Sequence, residues 1–105
     1  MGIGMQIAYF GFPGAAAIEA EAGVQLLRLM RFAQYVSTCH LAVEAVHGPG
    51  GTHYDVRLDV VTPEKEFIAL PHCTNAEPEA AVRAAFDHAE RELGRRGREA
   101  VRRNE

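Results

Sequence analysis

The chain has 105 residues, 48% of them apolar and 24% charged, and a formal net charge of -3; this fits one globular domain with a modest core and leaves no space for a second. No apolar run approaches the roughly 18 to 20 residues that cross a bilayer, and the N-terminus lacks the basic-then-apolar layout of a secretory signal, so a cytoplasmic protein with no membrane partner is expected. Cys39 and Cys73 have neither disulfide-framework density nor CxxC spacing, which suits free thiols in a reducing compartment. Charge is uneven, with +3 over residues 91–105 and -6 over residues 1–90. Such asymmetry marks either a basic tail that meets an anion or a solvated helix end.

Met5 to Phe10 reads as a short strand, closed by the punctuation Gly11-Phe12-Pro13-Gly14. From about Ala15 to Gln34 the residues Ile18, Ala22, Leu26, Leu29 and Phe32 or Ala33 recur at steps of three and four, the period of one helical face. Gly23 costs this helix about 1 kcal/mol relative to alanine. Between Ser37 and Val46, Cys39, Leu41, Val43 and Ala45 alternate with polar or small residues, as in a half-buried strand. The turn His47-Gly48-Pro49-Gly50-Gly51 leads to a second alternation, Tyr54, Val56, Leu58 and Val60, so the two strands form a hairpin. A pairing in which residue numbers sum to about 99 sets His40 opposite Asp59 and His53 opposite Val46 on the open face.

A turn around Thr62-Pro63-Glu64-Lys65 introduces a further strand, Phe67-Ile68-Ala69-Leu70, ended by Pro71. After the polar loop His72 to Ala76, Glu77-Pro78-Glu79 has the acids and proline that favour a helix start. Val82, Ala85, Phe86, Ala89 and Leu93 then form one inward stripe. Gly94 and Gly97 weaken this helix and are expected to let the Arg-rich tail fray. The order is β-α-β-β-β-α, an α+β fold with a four-stranded, mainly antiparallel sheet and two helices on one face. The expected division is an N-terminal extension over 1–4, one domain over 5–94 and an Arg-rich tail over 95–105.

Several segments taken in order carry a resemblance. Met5-Gln6-Ile7, Arg31-Phe32 through Ser37-Thr38-Cys39 into Val43-Glu44-Ala45, Tyr54 to Val60, and Ala81 to Asp87 with Leu93 together resemble the ribosome hibernation-promoting factors of the short HPF/RaiA-like type. The resemblance spans roughly residues 5 to 96 and rests on the ordered set, not on one motif. It implies a protein that settles on the small ribosomal subunit and silences translation, with helix arginines on ribosomal RNA phosphates. The RNA-binding residues it implies here are Arg28, Arg31, Arg83, Arg91, Arg95 and Arg96. The first helix departs from the basic pattern of that family, with Gly23, Val24 and Gln25 where charge is expected.

The first helix also carries Val24, Leu27 and Met30 on a second side. A small two-layer domain cannot bury both stripes of one helix on its own sheet. Either these residues meet a partner, as in a homodimer or protein-binding face, or Ala-rich neighbours and the second helix cover them. The alternative function is accordingly an interaction module on the same fold that has lost ribosome binding.

Nothing in the sequence assembles a reaction, a metal site or a cofactor site. Cys39 and His40 are adjacent in a strand and point to opposite faces, and His72-Cys73 has no C-x-x-C partner. Gly11 to Gly14 lacks the Gly-Lys-Ser/Thr of a phosphate loop and reads as a connector. Ser37 is the one serine and has no clear His and Asp partners.

Overall fold

The computed structural model describes residues 2–103; Met1, Asn104 and Glu105, which belong to the extension and the tail read from the sequence, lie outside the described residues. In chain order the elements are β1 (Gly4–Phe10), α1 (Ala16–Arg28), a 3-10 turn (Met30–Phe32), β2 (Thr38–Gly48), β3 (Gly51–Val61), β4 (Phe67–Ala69), β5 (Cys73–Asn75) and α2 (Pro78–Arg103). The α+β class and its β-α-β-β-β-α framework agree with the pattern read from the sequence.

The sheet differs from expectation in two respects. It is mixed, because α1 is a crossover that brings the chain back in the same direction and pairs β1 with β2 in parallel. It also has five strands. β4 pairs with Asp59–Val61 and β5 with Tyr54–Val56, so the four residues of β3 from Val56 to Asp59 face five from Cys73 back to Ala69. β4 and β5 are thus one edge strand broken by a one-residue bulge around Pro71, whose missing N–H cannot join the ladder. Cys73-Thr74-Asn75 read as loop because a short strand on a solvent rim needs no apolar alternation.

The β2–β3 hairpin has the expected register, with His40 opposite Asp59 and His53 opposite Val46. Cys39, Leu41 and Val43 of β2 and Val56, Leu58 and Val60 of β3 are fully buried beneath the helices. They meet Val82, Ala85, Phe86, Ala89 and Leu93 of α2, all buried as the 3.6-residue period requires. Each large side chain so buried contributes about 1.5–3 kcal/mol. Burial pushes the Cys39 thiol up to about 11, which leaves it an inert apolar group. Ile3 is also in the core and Gly4 pairs with Thr38, so the fold begins ahead of Met5.

Both helices depart from their expected limits. α1 ends at Arg28, where the Leu29 N–H reaches the Leu26 carbonyl and the chain tightens into the 3-10 turn. This turn brings Phe32, Ala33 and Tyr35 against the core. The buried face of α1 is Ile18, Ala22, Gln25 and Leu29, so a polar side chain holds the place expected of Leu26. α2 runs unbroken through Gly94 and Gly97 to Arg103 instead of fraying. Ion pairs of Arg95 and Arg96 with Glu92 and contact between the Tyr35 ring and the Gly97 position offset the helix cost of the glycines.

Gly11 and Gly14 have φ of +81° and +92°, and a Cβ on Gly14 would lie 2.6 Å from the Tyr9 ring. These glycines permit a tight connector into α1, whose N-cap Ala15 supplies no side-chain hydrogen bond. Around Gly23 a Cβ would meet nothing. Gly14→Ala is therefore expected to destabilise by about 1–3 kcal/mol, and Gly23→Ala to stabilise by up to about 1 kcal/mol. Urea denaturation of both variants checks this; shifts of the same sign would contradict the stated backbone roles.

Candidate nucleic-acid interface

α1 and α2 lie side by side on the sheet, and the arginines between them are engaged with carboxylates. Arg28 donates to Asp87 at 2.7 Å, to Glu90 at 2.6 Å and to the Gln25 side-chain oxygen at 2.6 Å. Arg31 reaches the other oxygen of Glu90 at 3.0 Å and stacks over the Phe32 ring. Arg83 donates to Glu21 at 3.0 Å, and Gln25 donates to the second Glu21 oxygen. The hydrogen bond to Glu90, then that to Asp87, holds the Arg28 guanidinium above its ordinary pKa. Farther along α2, Arg95 pairs with Glu92 and Glu99, and Arg96 with Glu92 and Glu66.

Five of the six arginines named from the sequence thus hold a carboxylate, and Arg91 contacts His88 at 3.0 Å. Exposed pairs of this kind contribute only about 0–1 kcal/mol each, so a phosphate can exchange for most of them. Arg28 is different, since it would have to leave two partly buried carboxylates at once.

The distal half of α2 presents another pattern. Arg91, Arg95, Arg98 and Arg102 follow one another at steps of four, three and four, which puts them on one helix face. Arg91, Arg95 and Arg98 line, with His88 and the Leu70-Pro71 bulge, an open hollow of about 340 Å³. Arg98 and Arg102 make no ion pair among the described residues. Residues 91–103 carry six arginines against Glu92 and Glu99, and cations at a helix C-terminus are favoured by its dipole. Arg98 and Arg102 are not among the arginines named from the sequence, where the tail was expected to fray.

α1 contributes little charge. Its exposed residues are Ala16, Ala17, Glu19, Ala20, Gly23, Val24 and Leu27, of which only Glu19 is ionisable, and that one is acidic. Val24 is 59% exposed, Leu27 68% and Met30 36%. The covering of Val24 and Leu27 by α2 is therefore absent, and the outer surface of the helix layer is apolar on α1 and basic on distal α2.

No protein-family model matches the chain, and no curated protein sequence does so. Solved structures do. A ribosomal subunit interface protein from Coxiella burnetii superposes with a TM-score of 0.76 at 15% identity, over 90% of this chain and 98% of that one. The N-terminal domain of Protein Y from Thermus thermophilus gives a TM-score of 0.69 at 19% identity, again over 90% and 98%. The chain has their fold. At these identities the likeness establishes architecture and says nothing of individual side chains.

The Glu92 carboxyl is held below its usual range chiefly by the hydrogen bond from Arg95, with Arg96 adding to it. A depressed folded-state pKa contributes stability that is present above the unfolded value and lost as pH falls through the folded one. Glu92→Gln removes that contribution at neutral pH and takes one carboxylate from each of Arg95 and Arg96, which keep Glu99 and Glu66 respectively. The variant is expected to bind single-stranded RNA severalfold more tightly than wild type at low salt, read by fluorescence anisotropy; unchanged affinity would mean that Arg95 and Arg96 do not face the RNA.

Proposed function

We propose that the chain is a non-enzymatic, ribosome-associated protein of the hibernation-factor type. It docks on the small ribosomal subunit in the cytoplasm by setting the outer face of α2 on ribosomal RNA phosphates. The observation that carries this reading is the one-sided row Arg91, Arg95, Arg98 and Arg102 beside the Leu70-Pro71 bulge. The fold supports it, being shared over nearly its whole length with a protein named for the ribosomal subunit interface. Arg91, Arg98 and Arg102 are direct contacts in this proposal. Arg31, Arg83, Arg95 and Arg96 join by exchanging exposed carboxylates for phosphate, and Arg28 mainly positions α1 against α2.

Such contacts read charge and shape, not sequence. The row of four alone, with four neutralised phosphates, predicts that log K falls against log salt with a slope of about -3 to -4, steeper for each further arginine that joins. Cosedimentation of the chain with small ribosomal subunits across a salt series measures it. The double variant Arg91→Glu with Arg95→Glu is expected to weaken binding at least tenfold and to flatten the slope by about 2. Undiminished binding would remove the assigned surface.

A second reading is favoured by the exposed apolar residues of α1: an interaction module in which Val24, Leu27 and Met30 bind a second copy or another protein. It predicts concentration-dependent sedimentation of the wild type that Leu27→Glu abolishes. A wild type that stays monomeric at high concentration would exclude homodimerisation.

A further inference from the structure

The open face of the sheet, opposite the helices, carries a second site. Its side chains stand in three cross-strand rows fixed by register: Gln6, His40 and Asp59; then Ala8, Ala42 and Arg57; then Phe10, Glu44 and Asp55. The middle row is small on β1 and β2, so the surface sinks between the outer rows. Two adjoining clefts result, of about 220 and 250 Å³, which share Phe10, Ala42 and Arg57 and form one trough.

Two features of this trough are unusual for a solvated sheet face. Asp59 is only 5% exposed, and its Oδ1 is buried without a hydrogen-bond partner, while Oδ2 forms an ion pair with Arg57, 3.1 Å from its Nε. A buried carboxylate oxygen left unpaired is costly and calls for a donor. Arg57, for its part, is ion-paired with Asp59 only through Nε; its two terminal nitrogens make no hydrogen bond among the described residues, and the residue lines both clefts. Phe10 stands at the wall, half-exposed, and Asp55 is held by His72 at 2.8 Å.

We propose that this trough binds a small zwitterion, a free α-amino acid with an apolar side chain. Its carboxylate is taken by the Arg57 terminal nitrogens, in the paired geometry that guanidinium favours. Its ammonium donates to the Asp59 carboxylate and sits in the field of Glu44, and its side chain lies on Ala8 and Ala42 against Phe10. The charge pattern selects this class. Glu44, Asp55 and Asp59 against Arg57 leave a formal -2, which repels an anion alone, while the free guanidinium nitrogens disfavour a cation alone. The site lies on the opposite side of the sheet from the arginines of α2, so its occupancy is independent of ribosome docking.

The test is a titration of the full chain, isotopically labelled, with phenylalanine, with phenethylamine as the ammonium-only analogue and with phenylpropionate as the carboxylate-only analogue, followed by amide chemical shifts. Phenylalanine is expected to shift residues 6–10, 40–44 and 55–59 with a Kd of about 1 mM, the range open to a ligand of roughly a dozen atoms in a shallow cleft. Each singly charged analogue should bind at least tenfold more weakly. Arg57→Gln should abolish the shifts while leaving the spectrum of the helices and core unchanged, which separates loss of the site from loss of the fold. No shift at saturating phenylalanine, or equal binding of phenethylamine, would overturn the proposal.

Discussion

Arg28 donates from one guanidinium to Asp87 and Glu90 and also to Gln25, and this joint ties α1 to α2 above the sheet. Arg83 with Glu21 closes the same seam on the other side of Gln25. The apolar stripes of the two helices would hold each of them to the sheet alone, but they leave rotation and slide between the helices weakly specified. Directional, charge-assisted bonds between partly buried groups fix that relation. The same bonds decide which cations are spoken for. Positive charge near the α1–α2 seam is neutralised inside the molecule, and the arginines without a carboxylate among the described residues, Arg91, Arg98 and Arg102, lie farther out along α2.

This division accounts for an acidic protein that still carries a basic surface. Residues up to 90 hold an excess of carboxylates, several of them used to clamp the helices, while α2 continues for a further thirteen described residues as an arginine-rich rod. Ion pairs along its solvated side, worth little singly, sum with helix propensity to keep that rod in register through Gly94 and Gly97. A frayed tail would offer the same net charge at random spacing. A helix offers it as a row, and a row suits a phosphate backbone.

Much of the fold was legible because it obeys two periods. Alternation placed Cys39, Leu41, Val43, Val56, Leu58 and Val60, and the hairpin register followed from its glycine-rich turn, as the pairing of His40 with Asp59 bears out. What escaped was set by contacts that no local pattern encodes. β5 is polar because it lies on an edge, Gln25 is buried because Glu21 and Arg28 of α1, themselves tied to α2, satisfy its amide, and the end of α1 tightens to return Tyr35 to the core. The site was legible only in part. Arginine spacing was visible, but which arginines are already paired depends on carboxylates about sixty residues away, such as Asp87 and Glu90 for Arg28.

Hydrogen exchange of the chain, alone and in the presence of small ribosomal subunits, tests the central claim most directly, since it reports where a partner covers the backbone. Slowed exchange concentrated between Arg91 and Arg103, with the open face of the sheet unchanged, is the predicted result. Exchange that stays the same throughout α2, or slows only along the exposed face of α1, would contradict docking through the arginine row.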